Sequence, residues 1–184
     1  MAVKKIIRMG HPLLRETAAR VPNDRIASNW FDDLIVDLRD TLEHAGGIGL
    51  AAPQIGESWQ VAIVDIPAGE GRYGDMPDFP FQVFVNPHIE VLDPTQAGVW
   101  EGCLSVPGLR GYVRRPQHVR VTYITAQGQP AELDAEGFIA TVLQHEFDHL
   151  DGVLYIDHLE DSRLLSFEEE FLQFHLGAPS REPD

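Results

Sequence analysis

The sequence predicts a single α+β domain, and three observations carry that expectation. Strand-like and helix-like runs occupy separate stretches, without the strand–helix–strand alternation that builds a parallel sheet. The 184 residues suit one core better than two. A composition of 43% hydrophobic and 23% charged residues is that of a chain able to bury a core, which excludes disordered, collagen-like and coiled-coil architectures.

Taken in order, the first helix starts at Ser28, an N-cap residue, with Asp32 and Asp33 in the first turn where the helix dipole favours them. Phe31, Leu34, Ile35, Leu38 and Leu42 recur at the spacing of one buried face, and Gly46 and Gly47 end the run. The stretch Gly47 to Gly56 is too rich in glycine, with Pro53 inside it, to read as regular structure. Strands are expected over Gln60–Ile66, Gln82–Val85, His88–Leu92 and Val119–Thr125. Pro67 to Pro80, with three glycines and three prolines, reads as a loop or flexible insertion between strands. Trp100 to Arg115 reads as irregular because Gly102, Pro107, Gly108 and Gly111 interrupt it.

A second helix is expected from about Ala135 to Leu150, apolar round most of its circumference and therefore buried. Ser166-Phe167-Glu168-Glu169 has the capping-box pattern and opens a last helix through Leu176. The domain is thus expected to span residues 1–176, with 177–184 a disordered tail.

Charge and cysteine content narrow the function. Fourteen Lys+Arg against 29 Asp+Glu give a formal net charge of -15, which disfavours nucleic acid and anionic membranes as partners. No stretch approaches the ~20 apolar residues of a membrane span, and the basic residues near Met1 precede no long apolar run, so neither anchor nor signal peptide is expected. Cys103 is the sole cysteine; a free thiol suits a reducing compartment, and a cytoplasmic location is expected.

The strongest chemical signal is His145-Glu146-Phe147-Asp148-His149 on the apolar helix. Four residues at about 100° each bring the two histidines to one face, one turn apart, so both imidazoles can grip one metal ion while Glu146 reaches water activated there. Two histidines and a glutamate in so apolar a helix are costly to bury without a partner. A third protein ligand is needed, and three routes exist. The first, a third histidine six residues after the second, fails because Tyr155 occupies that position. The second takes a glutamate from a later helix, Glu168 or Glu169, although helix capping and the dipole explain both. The third is Cys103, in Glu101-Gly102-Cys103-Leu104-Ser105; a lone cysteine also reads as a small buried hydrophobe or as a nucleophile.

Together, Gly47-Ile48-Gly49-Leu50-Ala51-Ala52-Pro53-Gln54, Glu101-Gly102-Cys103-Leu104-Ser105 and Gln144-His145-Glu146-Phe147-Asp148-His149 resemble, in order and separation, the three motifs of peptide deformylases. Arg8 to Arg15 is similar to the family's N-terminal segment, so the resemblance runs from about Lys5 to Leu159. It implies a deformylase fold, with antiparallel or mixed strands packed around a central metal-binding helix. It also implies hydrolysis of the N-formyl group from N-formylmethionyl nascent chains, with release of formate. By motif it makes Cys103, His145 and His149 the metal ligands and Glu146 the acid/base, with Gln54 and the backbone N–H of Leu104 stabilising the oxyanion. It implies Fe(II) as the preferred metal, replaceable by Zn, Ni or Co.

Ile48, Leu104, Phe138 and Val142 match family positions lining the methionine pocket, and Phe138 and Val142 read equally as ordinary core residues. Gly49 and Gly108 would offer backbone groups to an extended peptide. Glu101 and Arg115 are expected to pair behind Cys103, and Arg110 to support the site or the substrate backbone. The insertion at 67–80 and the Val106–Gly111 segment resemble the type shared by organellar and many bacterial members. Some members approach the ribosome through a basic C-terminal helix. Here residues 157–184 hold eight acidic residues and two basic ones, which argues against docking through that segment. The alternative readings are an endopeptidase using the same helix motif, indifferent to Cys103, and a metal-binding relative without activity.

Overall fold

A computed structural model describes residues 3–71 and 74–176. The expected tail at 177–184 lies outside the described residues. A 3-10 turn over Pro12–Arg15 precedes a short helix, α1 (Asn23–Ile26), which is followed by α2 (Asn29–Ala45). As expected, the Ser28 side chain accepts from the Phe31 N–H to open α2, and Gly46 closes it in the left-handed conformation at φ 65°. The strands β1 (Gly49–Ala51), β2 (Val61–Ile66), β3 (Gly69–Gly71), β4 (Gly74–Met76), β5 (Phe79–Cys103), β6 (Val106–Ile124) and β7 (Pro130–Glu136) follow. The metal-motif helix α3 (Gly137–Asp148) comes next, then β8 (Leu165–Phe167) and α4 (Glu168–Phe174).

The main sheet is antiparallel throughout, ordered β1-β2-β5-β6-β7 with β8 also paired to β6; β3 and β4 form a separate two-stranded ribbon. Strand alternation sorts β2 between two cores. Val61 and Ile63 join Phe31, Leu34, Leu38 and Leu42 of α2. Ala62 and Val64 join Val142, Leu143 and Phe147 of α3 with Val119 and Val121 of β6. Each fully buried Leu or Phe contributes about 1.5–3 kcal/mol to holding a helix on its face. The metal-motif helix is therefore central, as expected.

Four sequence expectations are corrected. Trp100 to Arg115, read as irregular, is the distal part of the long β5–β6 hairpin, pairing from Val85↔Ile124 to Cys103↔Val106. Its alternation is hidden by register shifts, the last between Glu101 and Cys103, and by glycines that admit bulky neighbours: a Cβ at Gly111 would lie 2.9 Å from the Tyr155 ring. Ala135 and Glu136 belong to β7, where they pair with Val119 and His118, so α3 starts at Gly137. Pairing with β6 outweighs helix propensity there. Ser166 and Phe167 pair with Arg110 and Leu109, and the Ser166 hydroxyl donates to the Phe167 carbonyl, so no capping box forms and α4 runs only over Glu168–Phe174. The expected loop at 67–80 contains the ribbon β3–β4.

Candidate active site

Three segments converge on one point. After β1 the chain makes a 3-10 turn over Ala52–Ile55 that carries Gln54. The tip of the β5–β6 hairpin carries Cys103 and Leu104. Helix α3 presents His145 and Glu146, and the 3-10 turn His149–Asp151 that continues it presents His149.

One ligand atom each of Cys103, His145 and His149 lies within 4.8 Å of the other two. Cys103 Sγ stands 3.2 Å from His149 Nε2. Bonds of about 2.3 Å to sulfur and 2.0–2.1 Å to nitrogen in a tetrahedral site require donors about 3.3–3.6 Å apart, so the trio fits a metal ion with little movement. Among the described residues this is the sole group of three or more His, Cys, Asp and Glu so placed. Glu168 lines the same cleft but stands 2.7 Å from Arg110 Nη2 and is not among the clustered donors, so the route to a later glutamate ligand is not taken.

The electrostatics suit the same chemistry. Burial pushes the Cys103 thiol up, but the neighbouring His149 and His145 imidazoles outweigh it and hold the group at about 5, as a thiolate near neutrality. Burial pushes Glu146 up to about 7, where a carboxylate can both take and return a proton. Its Oε2 is buried and has no hydrogen-bond partner among the described residues. The other carboxylate oxygen lies against Gly49, where any Cβ would collide with it; glycine is required there by close approach.

The two imidazoles are held differently. His145 Nδ1 donates to Glu101 Oε2 at 2.8 Å, which leaves Nε2 as the ring nitrogen available to a metal ion. Glu101 in turn accepts from Arg115 Nε at 2.6 Å and Nη2 at 3.1 Å. Burial opposes the Glu101 charge, but bonding to His145 and Arg115 prevails and holds the carboxylate at about 2. The Glu101–Arg115 pair thus exists as expected, though it braces His145 rather than Cys103. His149 Nδ1 is buried and has no partner among the described residues.

Gln54, an unremarkable loop residue by sequence alone, is 2% exposed. Its Oε1 accepts from the Ala51 N–H at 2.8 Å, which turns Nε2 toward Cys103 Sγ at 3.6 Å and Ser105 Oγ at 3.2 Å. An open cleft of about 530 Å³ runs over the cluster, and Ile48, Gly49, Gln54, Cys103, Leu104, Gly108, Phe138, Val142, His145 and Glu146 all line it. Every sequence-selected site residue except His149 reaches the cleft; His149 is 1% exposed, beneath its floor. Phe138 and Val142 also belong to the apolar core beside α3.

Three contributors escaped the sequence reading. Ser105 receives the Gln54 amide, and its place beside Cys103 was a signal. Asp148 accepts from Arg115 Nη1 at 2.8 Å, visible only once β6 lies against α3. Tyr155 stacks on the His145 ring at 6.0 Å between centroids and 21° between planes, and no local pattern marks that.

A His₂Cys cluster at a buried helix, with a buried carboxylate beside it and an open cleft above, fits one class, the metal-dependent hydrolases. Comparison with known proteins narrows the class. The polypeptide deformylase family model matches residues 3–164. A peptide deformylase of Leptospira biflexa is 44% identical over 170 residues, covering 92% of this chain and 95% of that protein. The Met-Ala-Ser-bound crystal structure of class I type b peptide deformylase from Acinetobacter baumannii superposes with a TM-score of 0.82 at 37% identity, covering 86% of this chain and 99% of that one. A crystal structure of peptide deformylase from Thermotoga maritima gives 0.77 at 33% identity, covering 88% of this chain and all of that one. The chain belongs to the peptide deformylase family, metal-dependent hydrolases that remove the N-formyl group from nascent peptides. No helix among the described residues is long and apolar enough to cross a membrane.

Proposed function

We propose that Cys103, His145 and His149 hold one divalent ion, Fe(II) by preference with Zn, Ni or Co as replacements, and that the cleft above them hydrolyses N-formylmethionyl peptides. The observation that carries this reading is the convergence of the three donor atoms within 4.8 Å beside the unpartnered Oε2 of Glu146. An ion held there supplies Lewis-acid polarisation of the formyl oxygen and acidifies water toward neutrality. The rest of the chemistry belongs to the chain's own groups.

Glu146 takes the proton as water oxygen attacks the formyl carbon, and returns it to the leaving amine when the C–N bond breaks. Formate and a free N-terminus result. Gln54 Nε2, fixed by the Ala51 N–H, and the Leu104 N–H at the hairpin tip donate to the oxygen on which negative charge develops. Glu101 keeps His145 in the tautomer that offers Nε2.

Ile48, Leu104, Phe138 and Val142 supply the apolar wall that a methionine side chain needs, and Gly49 and Gly108 leave backbone groups accessible to an extended peptide. The Met-Ala-Ser bound in the Acinetobacter relative supports this use of the cleft. The catalytic unit is residues 1–176, and a Cys103 that must stay reduced to serve as a ligand suits the cytoplasm, where nascent chains emerge. Substrate arrives from the ribosome, without docking through the acidic segment after Asp157.

The test is anaerobic purification, metal analysis and assay on formyl-Met peptides, alongside Glu146→Gln. One ion per chain and stoichiometric formate are expected, with the variant retaining metal and losing a factor of about 10²–10⁴ in rate. Internal peptide cleavage without formate would overturn the reading.

A further inference from the structure

A 3-10 turn over Tyr155–His158 follows the metal helix and grips it twice. Tyr155, 1% exposed, lays its ring on the face of His145. His158, at the other end of the turn, donates from Nε2 to Asp148 Oδ2 at 2.8 Å. That oxygen also accepts from Arg115 Nη1 at 2.8 Å, and Arg115 holds Glu101 through two further bonds. Glu101 ends the chain on His145 Nδ1. Arg115 and Glu101 side chains are each 5% exposed and Asp148 22%, whereas His158 is 38% exposed. His158 lines a second cleft, of about 540 Å³, behind α3; Gln60, His88, Arg114 and Asp151 line it too.

We infer that His158 is a positioning residue for His145, acting through Asp148, Arg115 and Glu101 from the face of α3 opposite the substrate. The physical reason is that Arg115 must serve two carboxylates at once. Donation from His158 keeps Asp148 oriented toward Nη1, so the guanidinium plane stays aligned for its paired bonds to Glu101. Glu101 thereby holds the tautomer and tilt of the imidazole. Without that donor, Asp148 turns toward solvent and Arg115 follows it, releasing Glu101 to bond His145 less directionally. This inference rests on the reading of His145 as a ligand.

The experiment loads full-length protein with Co(II) and records two quantities: the visible and thiolate-to-cobalt charge-transfer bands, and the rate of Co(II) loss to excess EDTA. His158→Phe and His158→Ala remove the N–H donor, whereas His158→Gln places an N–H at a similar reach. Both donor-free variants are expected to shift the bands and to lose Co(II) at least tenfold faster, the scale on which outer hydrogen bonds to metal ligands act, with kcat falling more than KM changes. The glutamine variant is expected to restore both readouts. His158 is partly exposed, and two donor-free variants keep a folding defect in one from deciding the result. Unchanged bands and loss rate in both, or equal damage in the glutamine variant, would overturn the role of His158 alone. A wild-type protein that takes up no Co(II) would overturn the ligand assignment beneath it.

Discussion

The two helices that sandwich the sheet are held by different physics. Helix α2 lies on Leu50, Val61, Ile63, Val83 and Val85 through Phe31, Leu34, Leu38 and Leu42, an apolar contact with Thr41 as the buried polar residue of the helix and no buried charge in it among the described residues. Helix α3 shares an apolar flank with the other face but carries Gln144 and Glu146 inside it, with His149 on the turn that continues it, and faces Glu101 and Arg115, all less than 9% exposed. Apolar burial is proportional to area and indifferent to direction, so the α2 side tolerates small shifts. Buried charges tolerate none, because each unpaired one costs several kcal/mol, and the α3 side therefore has one arrangement. The molecule places stability in the first region and geometry in the second.

The largest test of that contrast is Arg115→Met, which strands the buried Glu101 carboxylate. Unfolding of the metal-loaded protein in urea is expected to show a loss of about 3–5 kcal/mol, with metal released faster as His145 loses its brace. Loss below 1 kcal/mol would mean that the network is not what holds the α3 side. Leu38→Ala, at a position with 0% exposure, is the counterpart on α2. It should cost about 2–5 kcal/mol in the same assay but leave the rate of metal loss unchanged, and a faster release would show the two regions to be coupled.

Gly49→Ala displaces the Glu146 carboxylate rather than removing anything. A fall of about 100-fold in formate release is expected with the metal retained and the midpoint of unfolding little changed. Equal activity would show that the carboxylate has slack.

The smallest effect belongs to Asp157→Asn, on the turn after α3. Asp157 pairs with Arg15 and accepts from the Leu154 N–H at 2.8 Å. Slight burial opposes its charge, but Arg15 and the Leu154 N–H prevail and hold its carboxyl below the usual range. A carboxyl lowered on folding stabilises above its unfolded value near 4, and that contribution fades as pH falls through the folded value. The asparagine can still accept from Leu154, so only the partly exposed ion pair is lost. About 0.5 kcal/mol should separate the proteins at pH 7, and less below pH 4. A gap that widens in acid would reverse the assigned sign.

Much of this was legible from residues alone, where the cause is local. Ser28, the Phe31–Leu42 stripe and Gly46 define α2 because capping and periodicity operate within a few residues. His145 and His149 share a face because four residues make one turn. The β5–β6 hairpin was not legible. Its glycines look like breaks until Arg110 and Tyr155 are seen filling the space above Gly102 and Gly111. Strand β7 was half hidden by the helix that follows it, since Ala135 and Glu136 suit either state and only pairing with β6 decides.

By itself the sequence determined the inventory: one thiol, two imidazoles one turn apart with a glutamate between them, and three motifs shared with a hydrolase family. The tertiary structure alone decided which of these groups meet. Cys103 lies 42 positions before His145 in the chain, and only the hairpin's pairing and the packing of α3 on the sheet bring sulfur and imidazoles within 4.8 Å. It also decided that Glu101 braces His145 and that Arg115 and Asp148 continue the chain to His158. Local propensity extends over a few residues, whereas a buried charge is satisfied by whatever the fold places opposite it.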